Sequence, residues 1–246
     1  MDRQQKYVLL GSCFSQNIGM RMQAEGYSAV CNPLGTLFNP ESVRNTVRHA
    51  LAGVPAGLPM FRDEAMQEWR CWWANTRFRH RCEDEARREV QQAYTELGQA
   101  LRQAHRLFLT LGTNVCYRLR ADGTVVSNCQ RQPDVLFSEE SLSLEDTVQV
   151  LAETVGLLRA CNPSLRITFT VSPFRYRKYG WHRSQLSKAV LLLAIDSVCG
   201  MFPGEVDYFP SYEIMMDELR DYAYYAADGL HPSPEAVEII WNRLCE

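Results

Sequence analysis

The stretch Tyr7-Val8-Leu9-Leu10-Gly11-Ser12-Cys13 constrains this chain more than any other. Four apolar residues end in Gly-Ser-Cys, and the next segment spaces Phe14, Ile18 and Met22 along one helical face that stops at Gly26. Such a run reads as a buried strand that turns at once into a helix. The turn lies at the carboxyl edge of a sheet, where the unpaired N–H groups of the helix also point. Glycine suits it, because it tolerates positive φ and close backbone approach. A serine or cysteine there stands where a nucleophile would. The plainer reading is an N-cap serine beside a buried cysteine.

Apolar runs and amphipathic segments then alternate. Tyr27–Cys31, Leu107–Leu111, Arg166–Val171 and Val206–Phe209 read as strands. Helices are predicted from Asn39-Pro40 (with Val43, Val47 and Leu51), over Glu83–Arg106, and from Ser143 (with Leu151, Val155 and Leu158). Others follow over Ser184–Met201, over Glu213–Tyr225 and from Ser233-Pro234. Arg118–Val126, around Asp122-Gly123, reads as a hairpin. This order predicts an α/β fold, a parallel sheet with helices on both faces, in a single domain over 1–246. Gly53–Pro59 is a loop, and residues 53–82 form an irregular aromatic and basic insertion that could hold two strands.

Composition removes several function classes. The longest apolar stretch, Ala189–Ile195, is too short to span a bilayer, so no membrane partner is expected. The first residues lack a secretory pattern, and nine cysteines without Cys-x-x-Cys spacing argue against a disulfide framework or a zinc site. A cytoplasmic protein without metal or cofactor is the expectation. The net charge of −3 offers nucleic acid no overall attraction. One basic cluster is local: Arg70, Trp72, Trp73, Arg77, Phe78, Arg79, His80 and Arg81, followed by Glu83-Asp84-Glu85. Basic residues among aromatics can grip a nucleic-acid strand or stack on sugars. They also suit a hairpin with one apolar face.

Near the far end stands Asp228-Gly229-Leu230-His231-Pro232. A carboxylate three residues before a histidine, in a Gly- and Pro-flanked loop, can hold Nδ1–H and leave Nε2 free as a base. The other four histidines lie within amphipathic helices or among arginines. Together, Asp-x-x-His near the C-terminus and a Gly-x-(Ser/Cys) turn after the first strand resemble the SGNH/GDSL hydrolases. The wording Gly11-Ser12-Cys13-Phe14 resembles the GSCFA family of that clan. So do Asn32-Pro33-Leu34-Gly35, Asn128-Cys129, Thr170-Val171-Ser172-Pro173, Leu186-Ser187-Lys188-Ala189 and Leu219-Arg220-Asp221-Tyr222.

The resemblance implies a three-layer, flavodoxin-like fold and acyl transfer. It places Cys13 at the position of the clan's serine, with Ser12 the alternative nucleophile, and Asp228 and His231 as the relay. It also implies oxyanion donors from the nucleophile's own N–H, from Gly35 and from the Asn114 side chain. Trp72, Trp73 and Arg175 are candidate substrate contacts. A helix N-terminus beside Cys13 is expected to depress its thiol pKa. The chain departs from the family pattern at Gln130, Tyr176 and Ala74-Asn75, where histidines are usual. Two functions follow: an esterase, or acyltransferase, removing a small acyl group such as acetyl from a glycan or other small molecule, and a non-catalytic glycan- or partner-binding relative.

Overall fold

Strand β1 (Lys6–Gly11) divides its side chains between two cores, because successive residues of a strand point to opposite faces. Val8 and Leu10 enter one core, Tyr7 and Leu9 the other. The computed structural model describes residues 1–53 and 57–246; residues 54–56 of the predicted Gly53–Pro59 loop lie outside the described residues. After β1 come α1 (Cys13–Ala24), β2 (Ser28–Cys31), α2 (Pro40–Ala52), β3 (Met60–Asp63), β4 (Glu68–Cys71) and α3 (Glu83–Gln103). Next are β5 (Arg106–Leu111), β6 (Val115–Leu119), β7 (Val125–Val126), β8 (Phe137–Ser141), α4 (Leu144–Cys161) and β9 (Arg166–Val171). The chain closes with α5 (Trp181–Met201), β10 (Val206–Tyr208), the single turn α6 (Ser211–Glu213) and α7 (Pro234–Cys245).

The central sheet is parallel, in the order β10-β9-β5-β1-β2. The chain starts in β1, steps outward to β2, then returns past β1 to β5. That reversal places a switch point between β1 and β5, where α/β sheets collect ligands at the carboxyl ends of strands. One face is covered by α2, α3, α4 and α5 through Val47, Leu97, Leu151 and Leu191. The other is covered by α1 and α7 through Phe14, Ile18, Met22, Ile240 and Trp241. Each large side chain buried this way contributes roughly 1.5–3 kcal/mol.

The helix starts follow local chemistry. Asn39 accepts the Ser42 N–H ahead of Pro40, Ser143 and Asp146 form a capping box, and Ser233 caps α7. Helix α5 is long and apolar enough to cross a bilayer by length and composition. Its stripe Ser184, Ser187, Lys188, Leu191, Ile195 and Val198 is buried inside the protein instead.

Two elements differ from the sequence-based expectation. The stretch Glu213–Tyr225 is not one helix. It breaks into α6, a π turn over Ile214–Glu218 and a 3-10 turn over Tyr222–Tyr224 begun by the Asp221 side chain. Strand β8 was not expected, since Phe137 is its one buried residue; it pairs with β6 as the outer strand of a three-stranded antiparallel sheet. The insertion carries the antiparallel hairpin β3–β4.

Candidate active site

Gly11 ends β1 at φ +139, and a Cβ there would meet the Thr110 carbonyl oxygen at 2.1 Å. No larger residue fits between these paired strands. The turn is laced from both sides: the Ser12 N–H donates to Thr110 O (3.1 Å), the Gly11 N–H to Asn32 Oδ1 (2.9 Å) and the Leu37 N–H to Gly11 O (2.8 Å). Ser12 and Cys13 therefore have fixed and different environments. Ser12 is fully buried, and its Oγ accepts the Phe14 N–H at 3.3 Å as the N-cap of α1. Cys13 is partly exposed and lines a cleft of about 410 Å³ with His231, Phe38, Phe174, Tyr176 and Leu230. Ser12→Ala is expected to lower stability by about 1 kcal/mol, the usual worth of an N-cap. A lower urea midpoint with an unchanged slope would show it.

On the other wall of that cleft, residues 226–231 fold into a tight turn. Gly229 takes φ +65, and the N–H groups of Leu230 and His231 both donate to Asp228 Oδ1, at 2.8 and 3.0 Å. Asp228 Oδ2 lies 2.5 Å from His231 Nδ1. The backbone N–H of His231, its imidazole and the Leu230 N–H hold the Asp228 carboxyl down to about 2. An ionised Asp228 assigns the proton to Nδ1 and leaves Nε2 as the acceptor. The Phe174 ring packs 4.4 Å from the imidazole.

Arg175, a candidate substrate contact, is engaged within the chain. Its backbone N–H donates to Leu230 O (3.1 Å), its guanidinium reaches Gly229 O (3.4 Å), and that group stacks 4.2 Å from the Trp181 ring centroid. It ties the end of β9 to the histidine turn. Trp72 is buried, stacked on Phe61 at 3.7 Å and met edge-on by Phe137, so it packs the insertion and presents no face to a sugar. Trp73 is half-buried and stacks one face on His49 at 4.4 Å. Neither lines the Cys13 cleft.

Of the two expected oxyanion donors beyond Cys13, the Gly35 N–H is spent within the chain and the Asn114 amide commits one of its two hydrogens. The Gly35 N–H donates to Asn32 O at 2.8 Å, closing a turn that packs against Asn75. The Asn114 amide donates to Leu142 O at 2.7 Å. The thiol also differs from expectation: burial pushes the Cys13 pKa up, only partly opposed by the N–H groups of Phe14 and Cys13 and by Lys188. The helix N-terminus does not outweigh desolvation.

Two residues to which the sequence reading gave no site role, Tyr176 and Lys188, lie close to Cys13. The Tyr176 hydroxyl is buried without a hydrogen-bond partner and sits where a Cβ on Gly112 would be 2.4 Å from it. Lys188 is buried beneath the turns that end β5 and β9, donating to Gly112 O (2.7 Å) and Ser172 O (2.6 Å). Burial lowers it to about 7, and the neighbouring Cys13 works against that shift. Its sequence signal was its register on the buried stripe of α5. A second cleft of about 270 Å³ adjoins the first, sharing Phe38, Tyr176 and Lys178 and adding Tyr117, Tyr179, Asn39 and Asn128. Gln130 faces elsewhere: its amide donates to the carbonyls of Cys71 and Ala74, so two of the departures from the family pattern touch each other. Among the described residues no group of three or more His, Cys, Asp or Glu could hold a metal, and all nine cysteines are free.

The model of the GSCFA family matches this sequence over residues 6–244. No curated protein matches it. Among solved structures the chain is similar to a family two carbohydrate esterase from Clostridium thermocellum in complex with cellohexaose, at 12% identity and a TM-score of 0.48. The match covers 99% of this chain and 63% of that one. It is similar to an acetyl xylan esterase from Butyrivibrio proteoclasticus at 12% identity and a TM-score of 0.49, over 99% and 63% of the two chains. A carbohydrate esterase family 3 protein from Talaromyces cellulolyticus matches at 12% identity and a TM-score of 0.45, over 98% and 94%. This chain thus spans less than two thirds of the length of the first two.

Proposed function

The chain belongs to the GSCFA family, and from that premise and the Cys13–His231 cleft we propose that it is an esterase that removes a small acyl group, acetyl in the simplest case, from a glycan hydroxyl through a thioester on Cys13. The observation that carries this reading is the pairing of a cleft-facing cysteine at a helix N-terminus with a histidine held by Asp228. The glycan assignment rests on the adjoining cleft, whose Phe38, Tyr117, Tyr176 and Tyr179 rings and Asn39 and Asn128 amides suit a sugar.

In the first half-reaction His231 Nε2 takes the thiol proton as Cys13 Sγ attacks the ester carbonyl. The carbonyl oxygen becomes an oxyanion, and Asp228 faces the imidazolium that forms. As the tetrahedral intermediate collapses, the alcohol oxygen leaves with the proton from Nε2, and the acyl group stays on sulfur. Water then attacks the thioester with Nε2 again accepting a proton. The acid leaves and the thiol is restored. A second hydroxyl in place of water would give transfer instead.

The oxyanion needs donors already in place. We assign this role to the Cys13 N–H and the unpartnered Tyr176 hydroxyl; the Gly35 N–H is spent on Asn32, while Asn114 has committed one of its two amide hydrogens and keeps the other. Tyr176→Phe keeps the ring and removes only that donor. It is expected to lower kcat on 4-nitrophenyl acetate by about 10²-fold with KM little changed. An unchanged kcat would remove Tyr176 from the mechanism. Wild-type protein that turns over no member of a broad ester panel would favour the non-catalytic reading.

A further inference from the structure

The basic cluster read from the sequence has no part in the Cys13 site. Three of its members, Arg70, Arg77 and Arg79, line a separate cleft of about 860 Å³ between the β3–β4 hairpin, residues 75–79 and the loop 130–133. Five arginines line it, Arg62, Arg70, Arg77, Arg79 and Arg131, against two carboxylates, Asp63 and Glu64. The chain as a whole carries −3, so this is a strong local reversal of sign.

The arginines are not equally free. Arg70 is buried and neutralised by Asp63 and Glu68, each at 3.2 Å, though its Nε has no partner. Arg62 reaches Gln67 and lies 3.9 Å from Glu64. Arg77 gives one nitrogen to the Pro33 carbonyl, while Arg79 and Arg131 form no ion pair among the described residues. Arg131 is also held at a cost. It and Gln130 both occupy the left-handed region, at φ +60 and +57, which L side chains adopt with strain. The fully buried Gln130 locks that conformation through Cys71 and Ala74, while its carbonyl accepts from Arg70. The loop presents Arg131 to the cleft.

We propose that this cleft binds a small phosphate-bearing ligand, a phosphate ester or diphosphate, through Arg77, Arg79 and Arg131. One guanidinium fork satisfies a single carboxylate. Three that lack carboxylate partners call for a group with more than one charge and at least three acceptor oxygens. The volume exceeds one phosphate and leaves room for the organic part. A nucleic-acid strand is disfavoured, because Glu83, Asp84 and Glu85 follow directly at the start of α3.

The test is pyrophosphate binding to the full chain by calorimetry, with succinate and a single-stranded oligonucleotide as comparison ligands; no turnover is needed. Pyrophosphate should bind at a single site and raise the melting temperature. The double substitution Arg79→Glu with Arg131→Glu, at two exposed positions, should weaken binding at least about tenfold while leaving the melting temperature of the free protein and the alkylation of Cys13 unchanged. Failure of pyrophosphate to bind would overturn the proposal, as would equal affinity in the double variant. Succinate binding as tightly as pyrophosphate would overturn the phosphate class, and tighter oligonucleotide binding would replace the small ligand with a strand.

Discussion

Cys13→Ala is expected to abolish ester turnover, by about 10³-fold or more, while Ser12→Ala keeps most of it. The two side chains are adjacent, but the lacing of Gly11 and Ser12 to Thr110 and Asn32 fixes which one faces the cleft. Ser12 Oγ is buried and committed to the Phe14 N–H, so a substrate carbonyl cannot reach it without unwinding the first turn of α1. Cys13 Sγ needs no rearrangement. Its raised pKa means that the resting group is the thiol, so alkylation by iodoacetamide should be slow near neutral pH and quicken as pH rises. All nine cysteines are free, and the decisive readout is therefore peptide mapping: loss of turnover should track labelling of Cys13 itself. A dead Ser12→Ala beside an active, unlabelled Cys13→Ala would transfer the nucleophile to Ser12.

The parts of this site that were legible in the sequence are those that local chemistry dictates. The Gly11-Ser12-Cys13 turn follows from a strand that stops at a glycine, and Asp228 with His231 follows from a three-residue Asx turn that closes on itself. The parallel sheet follows from alternation, because strands buried on both faces carry continuous apolar runs. What tertiary packing decides was not legible. Gly35 and Asn114 sit at the expected strand ends, yet the Gly35 N–H goes to Asn32 and one Asn114 amide hydrogen to Leu142, and no spacing announces that. The tryptophans of the insertion looked available because two of their partners, Phe137 and His49, come from elsewhere in the chain, and Phe61 meets Trp72 only once the hairpin folds. Tyr176 and Lys188 reach the site only through the layering of α5 and the loop after β9 over β5. Lys188 could have been suspected, as a charge on the buried stripe of a helix. Tyr176 was marked in the sequence as a departure from the family pattern, but an unpartnered hydroxyl has no sequence signature, so the position was legible and its chemistry was not.

His231→Ala is expected to lower the turnover of 4-nitrophenyl acetate by about 10²–10⁴-fold and to change how the rate depends on pH. A cysteine that rests as a thiolate can dispense with a base for its first attack. Burial raises Cys13 above the ordinary 9.0 of a thiol, so here the proton must be taken in each turnover. With His231 present, Nε2 takes it. Asp228 stays ionised above pH 4, because its carboxyl is held near 2, and contributes no pH dependence there. Without His231 the remaining rate depends on the thiol ionising unaided, and it should climb through the alkaline range above pH 9. Lys188 and Cys13 each favour the charged form of the other, but a lysine lowered to about 7 is largely neutral above pH 9, so the alkaline limb of either protein owes little to its charge. Asp228→Asn should cost about as much, since the amide keeps its carbonyl oxygen on the Leu230 and His231 N–H groups and turns its NH2 toward Nδ1, which moves the ring proton to Nε2 and removes the base. A His231→Ala protein with wild-type rate and an unshifted pH profile would show that the imidazole plays no part in moving the proton.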